Sequence, residues 1–408
     1  MIRIPMPCFV ASLALALGAC AVDASAPSGD TPLYERTDLP EWTLAAEPSL
    51  RVGADEALPL ARLADAALVD GRLVIADMGT NEVLFLDASG ALTARQGGTG
   101  AGPGEYRGLI QLARRGDGVV AWDRNLERLT FLGADGRFER VLTLPAREGP
   151  PVPRMLGGAV GADHVLVWEW GLGMAGHAPV PTEVRDSNRY VLLNATTAET
   201  IWSTWAPTME MMSLRQDPLA TSSPVIYGRT WAVVSTPDGV VLGENGALDF
   251  RVRDGAGAER RVELPWEPPP AVAAEVALLR SGLRASADAR RTRPGPVTRT
   301  PGGREVNRNE LLADLSVRLV DALPARATLP AWSELDADAD GNVWVRAYPR
   351  PGQDTIPWLI LDRDLEPLAR IRLPVDLGIL DIGHDAMAVR KRGPFDEPIV
   401  EVWPLIKG

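Results

Sequence analysis

Apolar and polar positions along the chain fall into a repeating order: an acidic or acidic-glycine turn, an apolar run, a short polar turn, a second apolar run. Asp70-Gly71-Arg72-Leu73-Val74-Ile75-Ala76-Asp77 followed by Glu82–Asp87 is the clearest copy. The pattern returns at Asp117-Gly118-Val119, Asp163-His164-Val165, Asp238-Gly239-Val240, Asp340-Gly341-Asn342 and His384-Asp385-Ala386. Runs of four to seven apolar residues closed by Gly-containing turns predict short antiparallel strands.

The spacing of these marks predicts the architecture. Intervals of 47 (Asp70 to Asp117), 46 (Asp117 to Asp163) and 45 residues (Asp340 to Asp385) match one four-stranded blade. The two long intervals, 75 and 102 residues, read as one blade plus an insertion each. The expected fold class is all-β: a six-bladed β-propeller over 40–408, with insertions near 171–188 and 266–328. Seven blades, or a two-domain β protein, are the alternatives. C-terminal Ile399–Leu405 is expected to supply the fourth strand of the last unit. Glu41–Val52 is available to pair with it and remove an open edge. The first insertion, with Met174 and His177, reads as a long loop. The second predicts helices over Ala274–Arg284 and Asn309–Leu323, the latter from Leu311, Leu312, Leu315, Leu319 and Val320. Deleting about 270–325 is expected to leave a folded β-body.

Composition agrees with many short elements. The 408 residues include 39 Gly and 35 Pro, and 46% hydrophobic residues suffice for a large core. Twelve Trp suit wide gaps between packed sheets. A net charge of −12 argues against nucleic acid, which needs a concentrated basic surface. Eight arginines between 280 and 308 face only Asp288 and Glu305 there. That stretch reads as a solvated face, or as a site for an acidic partner or lipid head groups.

Cys8 and Cys20 are the two cysteines, so the body offers no disulfide framework and no thiol nucleophile. Arg3 followed by the apolar run from Cys8 to Leu17 has the layout of a signal peptide over 1–19. Leu17-Gly18-Ala19-Cys20 resembles the bacterial lipobox, which implies lipid attachment at Cys20 and a flexible tether over 20–39. Ala21 in place of Asp implies, by resemblance to Gram-negative lipoproteins, the outer membrane of the cell envelope.

The stretch Ile75-Ala76-Asp77…Asn81-Glu82-Val83…Phe85…Gly90…Gly97-Gly98-Thr99-Gly100-Ala101-Gly102-Pro103-Gly104-Glu105-Tyr106 resembles an NHL repeat. The match covers roughly 64–145 and 329–374. It implies a six-bladed propeller of a type that includes scaffolds, binding proteins, lactonase-like hydrolases and lyases.

Candidate chemistry is sparse. Gly97–Gly104 lacks the Lys and helix N-terminus of a phosphate loop and reads as a connection between blades. Asp77, Asp123, Glu169 and Glu244 end equivalent strands, as do Arg346 and Arg390. Facing the channel, the four carboxylates would hold a divalent cation; otherwise each fastens its turn. Asp336, Asp338 and Asp340 with Gly341 copy half of a calcium loop, but Ala347 stands where a Glu is wanted. His164, His177 and His384 are scattered, and no nucleophile elbow accompanies them. The expectation is a binding or scaffold protein without a cofactor, using the top face or channel mouth. A metal-dependent lactonase-like hydrolase is the alternative.

Overall fold

A computed structural model describes residues 33–53, 58–146, 152–171, 178–217, 219–299, 303 and 305–408. The signal segment, Cys20, most of the tether, and Met174 and His177 lie outside the described residues.

Asp70-Gly71 is the two-residue turn between strands Leu63–Val69 and Arg72–Asp77. Its φ values, 49° and 73°, are both left-handed, the geometry whose twist matches paired antiparallel strands. The other marks occupy the same place, each leading into the second strand of a meander: Gly118–Asp123, His164–Glu169, Gly239–Glu244, Val343–Arg346 and Ala386–Arg392. The repeat therefore marks the turn between first and second strands. An unmarked strand precedes each turn.

Four sheets hold four antiparallel strands apiece, spanning 63–97 (first), 109–143 (second), 154–207 (third) and 231–263 (fourth). Two further meanders, 334–374 (fifth) and 378–406 (sixth), join into a larger sheet through Glu41–Leu44. That strand runs parallel to Pro367–Pro374 and antiparallel to Pro398–Ile406, with Thr43 opposite Ile406. Leu50–Val52 pairs with Pro398–Ile406, Leu50 opposite Val402. The N-terminal segment thus meets the C-terminal strand as expected, with one correction. Pro398–Ile406 is the third strand of its meander, and Leu50–Val52 completes it.

The first strands lie innermost and are stitched to one another by polar groups. Asp65 accepts from Leu112 N at 3.0 Å, and Gln111 accepts from Leu156 N at 2.9 Å. Ser235 donates to Gly157 O, Ala339 N to Ile382 O, and Leu68 N to Asp381 at 2.7 Å. Sheets set face to face around a common axis in this way form a β-propeller. Apolar wedges fill the gaps between neighbours, and Trp occupies many of them. Trp122 lies between the second and third sheets, Trp202 between third and fourth, Trp332 between fourth and fifth, Trp344 and Trp358 between fifth and sixth.

Outside the ring lies one further lobe. Thr182–Val184, Met211–Gln216 and Leu219–Pro224 make a three-stranded sheet. Helices α1 (Ala273–Arg291) and α2 (Arg308–Asp321) pack against it, sharing one apolar cluster that includes Leu214, Tyr227, Leu315 and Leu319. Arg326 ties the lobe together through Glu210 at 2.9 Å and Glu183 at 2.7 Å. Both helices start and end within a turn of expectation except that α1 runs on to Arg291. The first insertion departs from its reading as a loop, because Thr182–Val184 is a strand of this lobe. Part of the arginine-rich stretch is held by partners on the lobe. Arg284 pairs with Asp321 and Arg291 with Asp314, both at 2.6 Å, while Arg280 donates to Leu323 O.

Candidate functional site

The four strand-end carboxylates are not brought together. Asp77 is buried and accepts backbone N–H bonds from Ala61, Arg62 and Gly79, all at 2.8 Å. Asp123 accepts from Arg107, Asn125 and Leu126. Glu169 pairs with Arg154 and Arg189, and Glu244 with Arg185. Asp77 and Asp123 each fasten their own turn, and Glu169 and Glu244 are taken up by arginine. Among the described residues no three His, Cys, Asp or Glu side chains gather as a metal set.

The half calcium loop is also divided. Asp338 is buried and accepts from Asn342 N, Asn342 Nδ2 and Trp344 Nε1. Burial raises its carboxyl above the usual range, against the pull of those donors. Asp340 points elsewhere, to His384 Nδ1 at 2.6 Å and Lys407 Nζ at 2.8 Å. Burial opposes its ionisation, yet the bonds from Lys407 and His384 hold it below the ordinary value. Asp336 accepts from Ala337 N. Among the described residues the ring of His384 meets Asp340 and not a serine or threonine.

Gly97–Gly104 is the connection from the first sheet to the second. Its carbonyls at Ala101 and Gly102 receive the Arg128 guanidinium at 3.0 and 2.7 Å, which is the opposite polarity to a phosphate cradle.

What the fold does build is a channel with two unequal ends. The narrow end, a 340 Å³ cavity, is lined by the C-terminal halves of the inner strands with Asp338 and His384. Arg114 of the second sheet spans it, ion-paired with Asp381 and donating to Ile382 O at 2.6 Å and Ala337 O at 3.2 Å.

The wide end is a cavity of 1060 Å³, framed by the starts of the inner strands and the ends of the second strands. Arg62, Arg124, Arg346, Arg390, Lys391 and Arg392 line it, against Asp65, Glu334, Asp376 and Asp396. Trp168, Trp231, Met78 and Met209 supply its apolar wall. Trp168 stacks on half-exposed Trp170 with ring centroids 6.2 Å apart and an interplanar angle of 7°. Arg390 donates to Ala64 O at 2.7 Å. Crowding by protein, and then the neighbouring Arg392, lower its guanidinium from the ordinary value, with Asp65 opposing.

Of this site, sequence reading singled out Arg346 and Arg390 as strand-end residues. It missed Arg62, Arg124, Trp168, Trp231 and the Lys391-Arg392 pair. The available signal was adjacency: Met78, Arg124 and Trp168 each sit one position from a strand-end acid.

No protein-family profile matches the chain, and no curated protein matches it. Solved structures do resemble it. A DUF4221-family member from Bacteroides vulgatus aligns at 9% identity over 91% of this chain and 100% of its own, with a TM-score of 0.46. A gluconolactonase from Xanthomonas campestris aligns at 12% identity over 86% of this chain and 87% of its own, TM-score 0.35. Virginiamycin B lyase from Staphylococcus aureus aligns at 10% identity over 88% and 99%, TM-score 0.33. All three scores lie below 0.5, so the propeller assignment stands on the strand pairing of the chain itself.

Proposed function

We propose that the chain is a six-bladed, NHL-type β-propeller lipoprotein that binds a ligand at its wide channel mouth. In this reading the joined sheet counts as two blades, and the helical lobe inserts between the fourth and fifth. Cys20 carries the lipid, the tether holds the body off the membrane, and the outer membrane of the cell envelope is the location. The protein acts by binding or scaffolding, without a cofactor.

One observation carries the binding reading. The 1060 Å³ mouth combines an apolar aromatic wall with charged groups from several sheets, the composition expected of a ligand site. The lactonase-like alternative needs a carboxylate set free to bind a cation. Asp77 and Asp123 instead each satisfy three backbone donors, and Glu169 and Glu244 are paired with arginine.

Elemental analysis of the purified protein separates the two. The binding reading expects no stoichiometric calcium or zinc; bound metal lost on Asp123→Ala or Glu169→Ala would establish the hydrolase reading. Anchoring is tested by Cys20→Ser, which should release the protein from the membrane fraction; unchanged membrane association would refute the lipoprotein assignment.

A further inference from the structure

The wide mouth has two chemically different halves. On one side, cations come from four consecutive sheets of the ring: Arg346 from the fifth, Arg390, Lys391 and Arg392 from the sixth, Arg62 from the first, Arg124 from the second. On the other side Trp168 of the third sheet and Trp231 of the fourth form the wall, with Met209 beside them.

The cations differ in how far they are already used. Arg392 pairs with Asp396, Arg390 donates to Ala64 O, and Arg346 donates to Val375 O. Among the described residues the side chains of Arg62, Arg124 and Lys391 have no hydrogen-bond or ion-pair partner, and all three are exposed. One exposed carboxylate in the mouth, Asp376, is likewise unpaired. The cavity lining is thus net positive by two charges within a protein of net charge −12.

We propose that this mouth binds an oxyanion, carboxylate or phosphoryl, carried on an apolar body of aromatic size. The inference rests on the mouth being the ligand site. Arg62 and Arg124, with Lys391, receive the anionic head; Trp168 and Trp231 receive the body. Guanidinium groups suit this because their planar fork matches a carboxylate or phosphate in two parallel hydrogen bonds. Indole faces supply large apolar contact at low entropy cost. A cation arc also raises the local concentration of anions against the repulsion of an acidic surface.

Titration calorimetry on the full-length, detergent-solubilised protein tests this with four probes: benzoate, its neutral isostere benzamide, phenylphosphonate and inorganic phosphate. Benzoate or phenylphosphonate should bind, and benzamide about tenfold or more weaker than benzoate. Whichever of the two acids binds tighter identifies the head group. Inorganic phosphate should bind more weakly than phenylphosphonate. The double variant Arg62→Gln/Arg124→Gln should lose about tenfold in affinity for both acids with its melting temperature unchanged, since neither side chain has a structural partner. Trp168→Leu should weaken the aromatic probes and leave inorganic phosphate unaffected.

Benzamide binding as tightly as benzoate would overturn the oxyanion while leaving the mouth reading in place, provided Trp168→Leu still weakens both. Phosphate matching phenylphosphonate would overturn the apolar body. Acid affinity unchanged in both the arginine and tryptophan variants would place binding elsewhere and overturn the mouth reading as well. No binding by any of the four probes would overturn the proposed ligand class.

Discussion

The carboxylate of Asp77 accepts the backbone N–H of Arg62 at 2.8 Å, and so a buried acid holds the segment that presents an unpaired cation to the channel mouth. Asp123 has the same relation to its surroundings, gripping Arg107, Asn125 and Leu126 on either side of Arg124. Asp77 and Asp123, which resemble metal ligands in the sequence, are backbone fasteners in the fold. Their influence on the mouth is indirect.

Asp77→Asn replaces one acceptor oxygen by a donor facing backbone N–H groups. The expected cost is about 1–3 kcal/mol, because at least one backbone donor at this buried carboxyl loses its partner. Urea denaturation should show a lower midpoint with an unchanged slope, which marks lost stability without altered compactness.

Arg114 braces the narrow end from the second sheet to the fifth and sixth. Both it and Asp381 are mostly shielded from solvent, with side-chain exposures of 21% and 16%. Arg114→Ala leaves the Asp381 charge and two carbonyls without that donor, and should cost about 3 kcal/mol. Arg114→Lys should recover only part of it, since an ammonium cannot reproduce the planar fork across three acceptors. Thermal unfolding of both variants checks the ranking.

The lobe should not behave as a detachable helical insertion. Its helices share an apolar cluster with Met212, Leu214, Leu219 and Tyr227, from the segment between the third and fourth sheets. Removing 270–325 alone therefore uncovers that face. The deletion should bind a hydrophobic dye and associate in size-exclusion chromatography, and a monodisperse, dye-free product would contradict the shared core.

Much of the ring was legible in the sequence because an Asp-Gly turn followed by an apolar run is a local signal that each meander repeats. The first strands were not, since strands such as Arg154–Val160, with Gly157 and Gly158 inside, carry neither a mark nor clear alternation. The lobe escaped because its parts lie about 50 to 100 residues apart and only packing unites them. The mouth escaped for a similar reason: Arg62, Arg124 and Lys391 come from different sheets, and no spacing along the chain announces that they line one cavity.

Acidification should loosen the C-terminal closure. The folded-state carboxyl of Asp340 lies below its ordinary value of 3.8, where Lys407 and His384 bond it. The unfolded chain takes up that proton first, so this contribution to stability is present above pH 3.8 and is lost as pH falls through the lower folded value. Asp340→Asn should flatten the acid limb of the stability profile, measured by denaturant unfolding at stepped pH. An acid limb identical to that of the parent protein would mean the clasp contributes nothing.

The most direct measurement is hydrogen exchange, read by mass spectrometry on the full-length protein with and without saturating phenylphosphonate. Binding at the wide mouth predicts slowed exchange in the segments around Arg62, Arg124 and Arg390–Arg392, with the narrow end around Arg114 and His384 unchanged. Protection confined to the narrow end or to helices α1 and α2, with the wide mouth unaffected, would contradict it.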